Sequence, residues 1–270
     1  MSYKTIVLHL VEEAYAASRT ALARRLAERF GAHLVGLHVT PPPIVPVGYG
    51  EGAAYVGPEI IEAQREAADE LAGRLHKAFT AAAGEKAEWR RLDGEPGRAL
   101  ARAGRAADLV ISPQAESSVL DFLARHAIEE AALGAGVPVL MLPAGEAPAD
   151  AGRRVLCGWN GKREAARSLH DALPFLAGAE SVVLLALGEL EGTPLEEAEA
   201  MLRRHGVKAR SEARDEPDDV GMALLEAAAA EKADLLVMGA YGHSRLREMV
   251  LGGATRHVLA AAPLPVLLSA

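Results

Sequence analysis

Aromatic residues are scarce in this sequence: Phe, Trp and Tyr together make up 4% of its 270 residues. The core of such a chain has to be built from Ala, Leu and Val, and with half of the residues hydrophobic there is enough apolar material for one. Cysteine is nearly absent. Cys157 stands alone, which excludes an internal disulfide framework and a Cys-rich zinc site. There is no surplus of positive charge. The formal net charge is −8, and residues 1–150 carry 15 basic against 20 acidic side chains while the remainder carries 14 against 17. Nucleic-acid binding normally shows as a basic domain or stripe, so neither part supports it. No run approaches the roughly 20 apolar residues that span a bilayer. The start, Met1-Ser2-Tyr3-Lys4, has no signal-peptide layout. The expectation is a cytoplasmic protein without nucleic-acid or membrane partners.

What is present is an alternation of apolar strand-like runs with helical periodicity. Thr5–Leu10, His33–Val39, Ala87–Leu92, Asp108–Ser112 and Val137–Leu142 read as five strands, the third more polar and so nearer an edge. Pro138 suits an edge strand or a strand end. Between them lie helical patterns at Ala14–Phe30, from Ile60 to Phe79 (with Gln64, Ala67, Leu71 and Leu75 on one face), Gly97–Arg105 and Val119–Leu133. Residues 41–58, rich in Pro and Gly, read as a loop. The same order then returns: strands at Arg154–Trp159, Ser181–Leu187, Lys208–Arg214, Asp234–Met238 and Val266–Leu268, with helices at Arg163–Leu176, Pro194–His205, Asp218–Glu231 and Glu248–Ala262. Letters repeat too: Ala107-Asp108-Leu109-Val110-Ile111 matches Ala233-Asp234-Leu235-Leu236-Val237, and Val137-Pro138-Val139-Leu140 matches Leu264-Pro265-Val266-Leu267. A repeat of this length indicates a duplicated domain rather than a solenoid. The expected boundaries are 1–145 and 152–270, joined by the Pro/Gly/Ala-rich segment 143–152. Strand–helix alternation implies parallel sheets covered on both faces, with ligands outside the carboxyl ends of the strands.

One such carboxyl end carries a phosphate-binding pattern. Gly239-Ala240-Tyr241-Gly242-His243-Ser244 leaves a strand, and Gly252-Gly253-Ala254-Thr255 opens a helix. Glycine lets an anion approach the backbone closely. The helix start offers unpaired N–H groups and partial positive charge. Thr255 and Ser244 offer hydroxyls, and Arg245, Arg247 and Arg256 offer charge nearby.

The spacing Gly-x-x-Gly-x9-Gly, with Pro263-Leu264-Pro265-Val266-Leu267 after it, resembles the ATP-binding signature of universal stress proteins. The likeness covers both halves in strand order and the motif in the second. It implies an α/β fold of two tandem, open, five-stranded, mostly parallel sheets with helices on both faces, an adenine-nucleotide alpha hydrolase-like, Rossmann-like arrangement. It also implies ATP or a related adenine nucleotide, accompanied by magnesium, held by Asn160, Gly239, Gly242, His243, Ser244, Gly252, Gly253, Ala254 and Thr255. This chain departs from the family pattern twice: Gly253 stands where Ser or Thr follows the last Gly, and Asn160 stands where the first strand ends in Asp. An amide can still hydrogen-bond a base or a ribose. The first half departs further, with Pro113-Gln114-Ala115-Glu116 after its fourth strand and His9-Leu10-Val11-Glu12 after its first, and is expected not to bind nucleotide. Members of the family pair through their last strands, so Val139–Met141 and Val266–Leu268 are expected to pair within one chain. Further pairing into a homodimer stays open.

Competing motifs fail. Gly161-Lys162 lacks the preceding Gly and following Ser or Thr of a P-loop. Gly242-His243-Ser244-Arg245-Leu246 lacks the final Gly of a nucleophile elbow. His243 and His257 have no cysteine near them, and the acidic group Asp215, Glu216, Asp218 and Asp219 reads as a solvated helix start, so no metal ligand is assigned. Cys157 reads as a small core residue. No catalytic residue is assigned: Glu248 is the one carboxylate in the loop. The expectation is a stress-response binding and signalling module. The alternatives are a slow ATPase or phosphoryl-transfer enzyme, and a partner-binding scaffold without nucleotide.

Overall fold

The computed structural model describes residues 2–43, 58–114, 121–190, 192–240 and 253–270, and the side chains of all of these but 121–125. The N-terminal half runs β1 (Thr5–His9), α1 (Ala16–Phe30), β2 (His33–Thr40), α2 (Pro58–Ala83), β3 (Glu88–Asp93), α3 (Pro96–Gly104), β4 (Leu109–Pro113), α4 (Asp121–Gly134) and β5 (Val139–Leu142). The C-terminal half repeats the scheme with β6 (Arg154–Trp159), α5 (Arg163–Leu176), β7 (Ser181–Leu187), α6 (Leu195–Arg204), β8 (Ala209–Arg214), α7 (Val220–Ala230), β9 (Leu235–Gly239), α8 (Gly253–Ala261) and β10 (Val266–Ser269). All ten strands form one sheet in the order β3-β2-β1-β4-β5-β10-β9-β6-β7-β8. Pairing is parallel within each half and antiparallel at the seam, where Met141, Leu140 and Val139 face Val266, Leu267 and Leu268.

Strand composition accounts for the order. β3 and β8 are the most polar strands and carry exposed residues along their length, and they lie at the two outer edges. The apolar strands β1, β4, β5, β9 and β10 fill the middle, where both faces are covered. β5 is therefore central, not an edge. Pro138 is tolerated because it sits one residue before the strand, with its carbonyl accepting from Val110 N at 3.1 Å.

Alternation along each strand sends side chains to two core layers. Ile6, Leu8, Ile111, Leu140, Cys157, Leu184 and Leu267 meet α1, α2, α5 and α6 on one face. Val7, Val110, Met141, Leu156, Val266 and Leu268 meet α3, α4, α7 and α8 on the other. Both layers run through both halves without a break. A triangle of Tyr3, Phe30 and Phe175 reinforces the join, with ring centroids 5.0 Å apart for Tyr3–Phe30 and Phe30–Phe175, and the Tyr3 hydroxyl donates to the Asp171 carbonyl. Arg167 donates to the Gly136 carbonyl at 2.7 Å. In the second layer, Gln114 donates to the Leu259 carbonyl at 3.0 Å and accepts from Ala144 N at 3.1 Å.

Two expectations from periodicity are corrected. The apolar face of α2 begins at Leu71 and Ala72: Ile60 is 50% exposed, because the first turns of this long helix run clear of the strands. Helix α7 begins at Val220, so Asp218 and Asp219 precede it. Asp219 is its N-cap and accepts from Met222 N at 3.0 Å.

Close packing of α2 depends on one glycine. A Cβ on Gly36 in β2 would stand 2.6 Å from the Phe79 ring, which is itself fully buried. Gly36→Val is expected to lose about 1–3 kcal/mol to overpacking, measured by chemical denaturation. A stability equal to that of the parent would mean that Phe79 moves aside freely.

Candidate functional site

In each half the first strand leads outward in one direction and the fourth in the other, so the carboxyl ends of β6 and β9, and of β1 and β4, are the switch points where open sheets bind ligands. The sequence makes these two places chemically different.

At the C-terminal switch point, β6 ends in Trp159 and is followed by Asn160. The Trp159 indole N–H donates to the Thr193 carbonyl at 3.0 Å, and Asn160, itself exposed, accepts from Lys162 N at 3.1 Å, turning the chain into α5. Gly161 takes a φ of +74° here, and a Cβ on it would press on Thr193 backbone at 3.0 Å. β9 runs beside β6, paired as far as Val237 opposite Cys157, and beyond that pairing β6 runs on to Trp159 and β9 to Gly239 at the same carboxyl edge. Gly239 has a packing role: a Cβ there would lie 2.6 Å from Glu164 and Ala165 backbone at the start of α5. The first turn of α8 supplies Gly253, Ala254 and Thr255. Gly253 is exposed, with no atom of the described residues within 4 Å of where a side chain would begin, Ala254 is half-buried, and Thr255 is 4% exposed. Of the residues assigned from sequence, Asn160, Gly239, Gly253, Ala254 and Thr255 therefore stand at this carboxyl edge. Gly242, His243, Ser244 and Gly252 lie outside the described residues, as do Arg245, Arg247 and Glu248.

At the N-terminal switch point the space is filled by protein. Arg19 of α1, with a side chain only 2% exposed, bonds Glu12 at 2.6 Å and the Gly145 carbonyl at 3.2 Å, and its guanidinium lies over the Tyr15 ring. His9, at the end of β1, contacts the Ser112 hydroxyl of β4 at 3.1 Å through Nδ1. His38 of β2 donates from Nδ1 to the Leu10 carbonyl at 2.8 Å. Burial, then the neighbouring His38 and Arg19, push the His9 imidazole down to about 3, and burial also lowers His38. Both imidazoles are thus neutral packing groups. Gln114 follows β4 and is consumed by the bonds to Leu259 and Ala144. A cavity of about 600 Å³ does exist in this half, but farther out, between Thr40–Pro43, the side of α2 at Gln64–Asp69, and Arg91–Gly94.

Cys157 is fully buried and its thiol is raised far above the usual range by that burial, in keeping with a core role. Among the described residues no group of three or more His, Cys, Asp or Glu side chains is arranged to hold a metal ion, and no helix is long and apolar enough to cross a membrane.

Sequence reasoning missed two features. One is the filling of the N-terminal switch point by Arg19, which lies mid-helix and carries no motif. The other is a contact of 2.8 Å between Asp219, taken as a solvated acid, and His257 Nδ1. The signal for the latter in the sequence is the acid two residues before a glycine in both halves, Glu95-Pro96-Gly97 and Asp219-Val220-Gly221.

Comparison with known proteins agrees with this architecture. A sequence model described as the universal stress protein family matches residues 116–269. A protein named universal stress protein in QAH/OAS sulfhydrylase 3′ region, from Thermus aquaticus, is 50% identical over 46 residues, which is 17% of this chain and 34% of that protein. This match thus spans only about a third of that relative. Among solved structures, a universal stress protein from Archaeoglobus fulgidus superposes with a TM-score of 0.74 at 17% identity, covering 98% of this chain and 95% of that one. A functionally unknown protein from Pseudomonas aeruginosa gives 0.59 at 16% identity, covering 99% and 92%. At these identities the two structures speak for the fold.

Proposed function

Because the chain belongs to the universal stress protein family, we propose that its C-terminal half binds ATP or a related adenine nucleotide and acts as a binding and signalling module. The observation that carries this reading is the contrast between the two switch points. Arg19, His9, Ser112 and Gln114 fill the first with buried, hydrogen-bonded side chains, whereas at the second, among the described residues, Asn160 is exposed and Gly253 has no neighbour where a side chain would begin. The residues present fit the ligand. The N–H groups of Gly253, Ala254 and Thr255 begin α8, where unpaired donors and the helix dipole favour phosphate. Gly252, Gly242, His243 and Ser244 complete the cradle from the sequence pattern, and the Asn160 amide meets the base or ribose. Magnesium accompanies the phosphates. Val139–Leu142 and Val266–Ser269 hold the two halves as one body, so that nucleotide on one half is felt by the whole sheet.

The test is a thermal melt of protein stripped of co-purified ligand, with and without millimolar MgATP, AMP or cyclic AMP. A ligand at a hundred times its dissociation constant adds about 2.7 kcal/mol to the native state, a readily measured rise. Gly252→Val, at the last Gly of the Gly-x-x-Gly-x9-Gly pattern, is expected to abolish the rise. No rise with any nucleotide would overturn this proposal in favour of a nucleotide-free scaffold.

A further inference from the structure

Helices α3 and α4 approach closely because small residues face each other along them. A Cβ on Gly97 would stand 2.3 Å from the Glu130 carboxyl, one on Gly134 would stand 3.1 Å from Ala101, and one on Gly104 would stand 2.6 Å from Ala135. At the start of α3 this contact holds two carboxyl groups. Glu95 is the N-cap, and its side chain accepts from Gly97 N at 3.2 Å and Arg98 N at 2.9 Å. Both bonds call on it as an acceptor, the role an ionised carboxylate fills best. Glu130 of α4 lies against the cap, in hydrogen-bonding contact with Glu95. Its Oε2 is closed off from solvent, and among the described residues no N–H or O–H group donates to it. The C-terminal half builds the same position differently: Asp219 caps α7, and His257 Nδ1 meets it at 2.8 Å, a donor facing an acceptor.

Two carboxylates cannot bond each other, since both only accept, whereas a protonated carboxyl carries one O–H donor. A buried oxygen left without a partner costs stability. The contact is satisfied when one proton sits on Glu130 and its hydroxyl donates to Glu95. We propose that Glu95 and Glu130 form a one-proton clasp that fastens α3 to α4 in acid and loosens as the proton leaves. The clasp is independent of nucleotide. It acts on α4, which leads through Gly136 into β5, the strand that joins the two halves at Val139–Met141. Burial and then Glu95 hold Glu130 above the usual carboxylate range, while Arg98 of α3 and His126, one turn earlier on α4, pull the other way. Burial opposes ionisation of Glu95 too, but the Arg98 N–H, Glu130 and the Gly97 N–H hold it below that range. Opposite shifts on the two partners are those of a pair with one proton between them. The remaining charged side chains on this stretch are Arg102 and Arg105, further along α3, and Glu129 beside Glu130. A carboxyl held above its unfolded value contributes stability in full below that value and loses it as pH rises through the folded one. Glu95, held below, contributes above its unfolded value and loses this as pH falls through its folded one.

The experiment is urea denaturation from about pH 8 down to about pH 4.5, near the ordinary glutamate value, for the parent, Glu130→Gln, Glu95→Gln and the double variant. An amide at 130 keeps the shape and donates to Glu95 at every pH. The ratio of the folding constant of Glu130→Gln to that of the parent cancels the histidines and every other group that titrates alike in both. This ratio is expected to grow as pH rises, by up to about tenfold per pH unit inside the window and about threefold or more in all, and then to level off. In the Glu95→Gln background the same Glu130→Gln change should give a flat ratio, because an amide at 95 donates to an ionised Glu130 while its carbonyl keeps the cap. At the alkaline end, amide hydrogen exchange in Pro96–Gly104 and in residues 126–134 should be faster in the parent than in Glu130→Gln. A ratio that stays constant with pH, or that favours the parent as pH rises, would overturn the clasp. So would equal growth in the Glu95→Gln background, which would leave burial alone as the cause, or equal exchange in the two proteins.

Discussion

Phe175→Ala is expected to cost about 3–5 kcal/mol, the range for truncating a buried aromatic ring, and to lower the melting temperature by many degrees. Phe175 is 1% exposed and lies on α5, in the C-terminal half, but its ring partners Phe30 and Tyr3 belong to the N-terminal half, at centroid distances of 5.0 and 5.9 Å. The connecting chain is moulded against it as well: Gly152 has a φ of +86°, and a Cβ there would lie 2.5 Å from the ring. Scanning calorimetry checks the expectation. A loss below about 0.5 kcal/mol, the size of an ordinary surface change, would mean that the seam strands alone hold the halves together.

A second large effect is expected on acidification. The folded protein keeps His9 neutral, with its imidazole at about 3, whereas an unfolded chain protonates it near the ordinary histidine value. A depressed basic group binds more protons when unfolded, so its contribution to stability is complete above the unfolded value and is lost as pH falls from there towards the folded one. Each pH unit inside that window costs up to about 1.4 kcal/mol per histidine, and His38, lowered in the same direction, adds to the slope. Urea denaturation between about pH 7.5 and about pH 5 should show stability falling steeply over the acid part of that window. His9→Asn, whose neutral side chain can still meet Ser112, should show a shallower slope, with the two curves converging in acid. Equal slopes would mean that His9 accepts a proton without unfolding, through rearrangement around Glu12 and Arg19.

Both effects arise from tertiary neighbours that no local pattern announces, and this marks how far the sequence could be read. Apolar runs and helical spacing placed all ten strands to within a residue or two, because a strand or helix face is written in a few consecutive residues. The polarity of Glu88–Asp93 indicated an edge position, since only an edge leaves both polar faces wet, and the structure puts it there. The same kind of reasoning failed for Ile60, whose periodicity continues that of Leu71 and Leu75 although the helix has passed beyond the strands it could cover. It gave Asp219 to solvent because its partner, His257, is 38 residues away. For Gly239 the spacing suggested a phosphate glycine, and the structure adds that a Cβ there would also meet the start of α5.

By itself the sequence determined the α/β class, the repeated order of elements, the family and the glycine pattern that marks one carboxyl edge, all of which depend on short-range spacing. The tertiary structure alone decided that the strands form one ten-stranded sheet with two unbroken core layers, and that Arg19 fills one switch point. Those outcomes depend on which distant side chains meet, and a buried charge such as Arg19 is tolerable only where Glu12 and the Gly145 carbonyl come together around it.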